Sequence, residues 1–173
     1  MNRRIVIVGF MGCGKTAVAE ALSAHLGGEM IDLDSFINDR ERRSPAEIIQ
    51  EDGEPAFRAI ETRALRDVLD KTYACVIALG GGAWTSETNR ALVAAHDCLS
   101  IWLDAPFDLC WKRIASSGTV RPLAPDRQSA QKLFESRRTS YQLAGIHVHA
   151  TDERTPPAIA SEILIKLSTL VTG

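Results

Sequence analysis

The sequence has no apolar run near the roughly 20 residues needed to cross a bilayer, which excludes a helical membrane protein. It has no charge imbalance either. Twenty Lys and Arg against 22 Asp and Glu leave a net charge of −2, so no overall field favours nucleic acid or an anionic membrane, and neither is expected as a partner. The four cysteines, Cys13, Cys75, Cys98 and Cys110, show no C-x-x-C spacing, and three of them lie in apolar surroundings where Cys behaves as a small hydrophobe. The four His are scattered. His147 and His149 could share one strand face, but no further Cys or carboxylate signature makes them a metal site. Internal repeats and low-complexity segments are lacking. Met1 runs almost directly into an apolar segment, with no space for a secretory leader, so the expected location is cytoplasmic. What remains is one ordinary domain: 173 residues, 45% hydrophobic and 24% charged, long enough to bury a core.

The chain is organised around Ile5 to Thr16. Ile5–Val8 is β-branched throughout and does not alternate with polar residues, as expected of a strand buried on both faces. From Gly9 the pattern G-x-x-x-x-G-K-T is complete through Gly14, Lys15 and Thr16. Glycines let successive backbone N–H groups face an anion, and the following helix adds the positive end of its dipole. Lys15 can reach the β- and γ-phosphates of a nucleoside triphosphate, and the Thr16 hydroxyl can ligate Mg²⁺. Cys13, inside this loop and near a helix N-terminus, reads either as a small filler or as a thiol of lowered pKa.

Helical spacing of Val18, Leu22 and Leu26 predicts a helix over 15–26, stopped by Gly27 and Gly28. Glu29 to Asp34 reads as a second strand, with Asp32 and Asp34 on one side at its carboxyl end, where a shared cation would relieve their repulsion. Asp34 is also a candidate cap for a helix starting at Ser35. Residues 35–72 read as charged helices broken near Ser44-Pro45 and Asp52-Gly53, an inserted helical subdomain. There Phe57, Ile60, Ala64 and Val68 form an apolar stripe, and Arg58 and Glu61 are three apart. A third buried strand at 74–79 ends in Gly80-Gly81-Gly82, a sequence suited to close approach of backbone to a ligand. A helix over 87–96, a strand over 98–103 and a helix over 106–115 follow. The Ser-, Gly- and Pro-rich stretch 116–126 has the length of a lid and carries Arg121, with Arg113 just before it. In a helix over 129–144, Leu133, Phe134, Arg137 and Tyr141 share a face. Arg137 therefore sits in an apolar stripe and calls for an anionic partner, while Arg138 is turned about 100° toward solvent. A strand over 146–150 and a helix over 156–170 complete a β-α-β series, which argues for a parallel sheet covered on both faces.

Six motifs in this order resemble the shikimate kinase family over nearly the whole chain: Gly-Phe-Met-Gly-Cys-Gly-Lys-Thr at 9–16, Asp-Leu-Asp at 32–34, Gly-Glu-Pro-Ala-Phe-Arg at 53–58, Leu-Gly-Gly-Gly-Ala at 79–83, Thr-Val-Arg-Pro-Leu at 119–123, and Arg137 four before Tyr141. The resemblance implies a P-loop NTPase-type three-layer α/β/α fold, nucleoside-monophosphate-kinase-like, with a five-stranded parallel sheet. It further implies a substrate-binding helical insertion at about 33–62 and a lid at about 116–128, all in one domain over 1–173. Gly12, Cys13, Gly14, Lys15, Thr16 and Ala17 would then hold ATP, with Arg113 and Arg154 flanking the adenine. Asp34, Arg58, Gly80, Gly81, Gly82 and Arg137 would bind shikimate, its carboxylate on Arg58 and Arg137, with Glu61 orienting Arg58. Asp34 would meet the hydroxyl that is phosphorylated, Thr16 and Asp32 would hold Mg²⁺, and Arg121 would close on the transferred phosphate. Lys15, Asp34 and Arg121 form the implied catalytic set, in a monomeric enzyme of aromatic amino-acid biosynthesis. The chain departs from the family's pattern at Ile49, often an aromatic, at Thr139, usually Pro, and at Ser44-Pro45, usually Gly and an aliphatic residue. Two other functions stand beside this one: a P-loop kinase for another small hydroxy acid such as gluconate, and a non-catalytic nucleotide-binding regulator.

Overall fold

The computed structural model describes residues 3–71 and 73–171; Met1 and Thr72, the far end of the expected helical stretch, lie outside them. Ile5–Val8 forms β1, all four side chains buried, and it takes the middle of the sheet because only a two-faced apolar strand can be covered by helices on both sides. The other strands are β2 (Met30–Asp32), β3 (Val76–Ala78), β4 (Leu99–Asp104) and β5 (Ile146–His149). Their order is β2-β3-β1-β4-β5, and every pairing is parallel, with Ile5 facing Val76 on one side and Leu99 on the other. All five carboxyl ends therefore open on the same edge, where parallel sheets bind ligands. At the edge strand β5, Ile146 and Val148 point inward while His147 and His149 are exposed, so the two histidines do share a face. Among the described residues no cluster of three or more His, Cys, Asp or Glu could hold a metal, and no helix is long and apolar enough to cross a membrane.

The helices are α1 (Lys15–Leu26), α2 (Leu33–Glu41), α3 (Pro45–Asp52), α4 (Glu54–Lys71), α5 (Glu87–Ala95), α6 (Phe107–Ser116), α7 (Arg127–Tyr141) and α8 (Pro156–Val171), with a single 3₁₀ turn at Ala83–Thr85. Several starts have a local cause. Ser44 and Glu47 form a reciprocal capping box at α3, with Pro45 at the first helical position. Asp126 caps α7 by accepting from the Ser129 amide at 2.8 Å. The expected stripe of α4 is buried at Phe57, Ile60, Ala64 and Val68, and Glu61 is buried with it.

One boundary differs in a way that matters. The second strand stops at Asp32, which caps α2 through the Ser35 amide at 3.1 Å, so the helix begins at Leu33. Asp32 and Asp34 are thus not alternate strand residues. Asp34 lies in the first turn of α2, where a carboxylate also suits the helix dipole. The capping role belongs to Asp32.

The turn after β3 is pinned from behind by Asn89 of α5, which is wholly buried. Its amide donates to the Ala83 carbonyl at 3.0 Å, and its oxygen accepts from the Thr62 hydroxyl at 2.8 Å. Asn89→Ala should lower unfolding free energy by about 1–3 kcal/mol, the cost of leaving buried partners unsatisfied. Urea denaturation checks this, and a loss below a few tenths of a kcal/mol would count against the pinning role.

Candidate active site

A cavity of about 840 Å³ opens along the carboxyl edge of the sheet. Its floor is the loop from β1 to α1, whose shape depends on Gly9. That residue has φ 146°, and a Cβ there would stand 2.7 Å from the Leu103 carbonyl and 2.9 Å from Cys13 Sγ. Cys13 is the filler of this turn. Its thiol pKa is raised, because burial outweighs the opposing charge of Lys15, so a reactive thiolate at the helix N-terminus is not what the loop holds. Burial likewise pushes the Cys110 thiol up to about 12.

Gly12, Gly14, Lys15, Thr16 and Ala17 all line the cavity. The Lys15 ammonium donates to the Gly9 and Phe10 carbonyls at 3.0 and 2.9 Å, bracing the loop from inside. The Thr16 hydroxyl donates to Asp32 Oδ2 at 2.6 Å, which brings two hard oxygen donors together beside the loop. That donor set fits Mg²⁺, which is held by one or two protein oxygens together with phosphate and water. Arg113 reaches over from α6 and donates to the Gly12 and Cys13 carbonyls, both at 3.2 Å. Arg154, expected alongside it, does not line the cavity. Its guanidinium is engaged by Glu162 and by the His149 carbonyl, each at 2.5 Å.

Across the cavity the three glycines lie between acidic and basic groups. Asp34 Oδ1 stands 2.6 Å from where a side chain at Gly80 would begin, and Arg137 Nη1 stands 3.6 Å from the same point at Gly81. At Gly82 a Cβ would fall 2.2 Å from Arg58 Nη2, inside the guanidinium itself. Arg58 is not the exposed surface pair that its spacing with Glu61 alone would give. It donates to Glu61 at 2.8 Å, and Glu61 is only 1% exposed. Glu54 supplies a second carboxylate, accepting from Arg58 Nη2 at 2.9 Å and Nε at 3.2 Å; its i,i+4 spacing was visible in the sequence and went unused.

Arg137 is 6% exposed, yet among the described residues no carboxylate lies within 4 Å of it. The anionic partner that its place in an apolar stripe calls for is therefore not a residue of the core. Burial lowers its pKa, with the charge of Arg58 acting the same way and Tyr141 opposing. Tyr141 donates its hydroxyl to the Gly81 carbonyl, tying the helix that carries Arg137 to the glycine turn. From the lid, Arg121 lines the same cavity, and its buried Nε has no hydrogen-bond partner among the described residues. Asp34 has a raised pKa, first through burial and then through the charge of Asp32, while Lys15, Arg121 and Arg58 pull it down.

A phosphate-binding loop with its lysine, a hard-oxygen pair for Mg²⁺, and a second anion-binding half across one cavity define a P-loop kinase of small molecules. The chain belongs to the shikimate kinase family: the family model described as Shikimate kinase matches residues 11–168. A shikimate kinase of Ruegeria pomeroyi is 34% identical over 172 residues, covering 98% of this chain and 87% of the relative. The solved structure of a shikimate kinase from Acinetobacter baumannii in complex with shikimate superposes with a TM-score of 0.88 at 30% identity, covering 96% of this chain and 94% of the other. A gluconokinase from Sinorhizobium meliloti, at 18% identity and a TM-score of 0.65 over 98% of this chain and 93% of its own, shares the fold. The family consists of phosphotransferases that act on an alcohol group and use ATP with Mg²⁺.

The raised pKa of Asp34 has a stability consequence with a definite sign. A carboxyl whose folded pKa lies above its unfolded value of 3.8 costs nothing below that value, and it destabilises the fold progressively as pH rises through the folded pKa. Asp34→Asn should therefore raise Tm at pH 7–8, with the gain vanishing toward pH 4. Thermal melts across that range test this, and a gain that is flat with pH would contradict it.

Proposed function

We propose that this chain transfers the γ-phosphoryl group of ATP to the 3-hydroxyl of shikimate, giving shikimate 3-phosphate and ADP for chorismate synthesis, and that it works as a cytoplasmic monomer. One observation carries the choice of acceptor. Arg58 and Arg137, on separate helices, converge on adjacent glycines, and one of them is buried without a carboxylate. Two guanidinium forks about one backbone turn suit a planar carboxylate on a compact ring. The match to a shikimate-bound relative supports the same acceptor.

In this reading α2, α3 and the first half of α4 are the acceptor-binding insertion, and 116–128 is the lid. Gly12 to Ala17 cradle the phosphates, and Arg113, with Arg154 beyond it, flanks the adenine. Thr16 and Asp32 would hold Mg²⁺, which would supply positive charge against the phosphates. Asp34 faces the acceptor hydroxyl and takes its proton as the O–P bond forms, its raised pKa fitting it for that exchange. Lys15 and Arg121 stabilise the charge developing on the moving phosphoryl group.

Magnitudes decide the order of importance. A positioned base contributes about 10²–10⁴-fold, and an Arg completing the phosphate clamp about 10³–10⁵-fold, because such transition states are loose. Lys15→Ala and Arg121→Ala should therefore slow kcat at least as much as Asp34→Asn; steady-state kinetics with Asp34→Asn alone inactive would reverse this. Arg58→Ala and Arg137→Ala should weaken shikimate binding while nucleotide affinity stays within about twofold, as calorimetric titration would read. Gly82→Ala should behave like Arg58→Ala, since the three atoms nearest the new methyl all belong to the Arg58 guanidinium, which it must displace. Side-by-side coupled assays with shikimate and gluconate test the acceptor itself: turnover of gluconate alone would overturn the proposal, and nucleotide binding with turnover of neither would favour a regulator.

A further inference from the structure

Arg137 and Arg138 are adjacent in sequence, so their side chains leave α7 about 100° apart. Arg138 is turned partly to solvent, its side chain 40% exposed, but its guanidinium is not free. Its guanidinium makes a two-pronged contact with Asp104, the last residue of β4, with Nη1 at 2.9 Å from Oδ1 and Nη2 at 3.3 Å from Oδ2. The same group lies over the Trp102 ring at 5.0 Å and the Phe134 ring at 5.8 Å. Asp104 is only 13% exposed in its side chain, and its other neighbour, the His149 imidazole, stands farther off at 3.7 Å.

These contacts lead into both halves of the acceptor pocket. Trp102 stacks on Tyr141 at 6.1 Å between centroids, and Tyr141 holds the Gly81 carbonyl. Phe134 meets Phe10 of the phosphate loop edge-on at 5.2 Å and Phe107 of α6 at 5.5 Å. These aromatic contacts are greasy and permit small rotations of α7 about its axis. A fork-to-carboxylate pair is directional and does not.

We propose that Arg138 is a positioning residue for acceptor binding. Its pairing with Asp104 sets the rotation of α7, so that of the two neighbouring arginines on this helix Arg137 alone joins Arg58 in presenting charge to the acceptor carboxylate. Without Asp104, two neighbouring guanidiniums would compete for one anion, and the helix would lose its one directional tie to β4. The geometry asks for Arg at this position. A lysine keeps the charge but has neither the planar fork nor the flat face that lies on Trp102.

The inference rests on Arg137 being the acceptor's anchor, so the experiment carries that reading as a separate arm. Arg138→Met keeps the apolar stem against Trp102 and Phe134 and removes the fork; Asp104→Asn removes its partner. Each, with folding verified by circular dichroism, should raise the Kd for shikimate about fivefold to tenfold with the Kd for ADP unchanged within twofold, a size typical of coupling within one network. The double variant should lose no more than the worse single one, and Arg138→Lys should recover little. A Kd for shikimate that stays within twofold in Arg138→Met while Arg137→Ala loses binding would overturn the positioning role alone. Equal weakening of shikimate and ADP would also overturn it, leaving a merely structural tie. No effect from Arg137→Ala would overturn both the role and the reading beneath it.

Discussion

A guanidinium taken out of water carries a desolvation cost of several kcal/mol that only an opposite charge recovers. Arg137 is in that position: no carboxylate of the described residues lies within 4 Å, and the more distant charge of Glu54 offsets only part of the cost, leaving the Arg137 pKa lowered. Much of the surrounding architecture follows from tolerating it. Tyr141 and the glycine turn hold the helix from one side, and Phe134 holds it from another. Arg58, which would repel Arg137, is neutralised by Glu61 and Glu54. The pocket stores unbalanced positive charge next to carboxylates that burial pushes toward protonation, Asp34 and Glu61 among them. An anionic acceptor is attracted by the first and spared repulsion by the second.

The donor half was readable because its chemistry is local. A strand, a loop with three glycines, a lysine and a threonine occur in one uninterrupted run, and β1 sits where its unbroken apolar character demands. The acceptor half was readable only as residue types. Arg137 stood out as a cation in an apolar stripe, but nothing in the sequence says which helix faces it or that Gly81 lies between. The gaps have a common cause. Asp34 was assigned a strand face, since a two-residue period looks the same whether or not a helix has already begun. Helical geometry turns Arg138 toward solvent, where its side chain is 40% exposed, but gives no sign of the carboxylate it meets. Periodicity describes one helix in isolation, and the carboxylate at the end of β4 is a tertiary fact. Glu54 was passed over for a plainer reason, as one i,i+4 pair among many on charged helices.

Donor and acceptor residues reach one cavity because a single sheet edge gathers them. The phosphate loop follows β1, Asp32 closes β2 with Asp34 just after it, the glycine turn follows β3, and Asp104 closes β4. Helix α7 crosses this edge and touches both the phosphate loop through Phe10 and the acceptor turn through Gly81. It directly follows segment 116–126 in sequence, so that segment and the glycine turn are joined to one helix.

Helix α3 is built on different terms from everything else around the cavity. Its start is set by its own Ser44 and Glu47, its end by Gly53, and Arg43 clasps Glu51 and Asp52 across its length; Ile48 is its one buried side chain. Yet it supplies a wall of the pocket through Ile49 and Gln50. A segment that folds by its own local rules can be rewritten without disturbing its neighbours. The cavity therefore has a floor held by glycine geometry and a wall on a helix with its own caps, tied to the core mainly through Ile48.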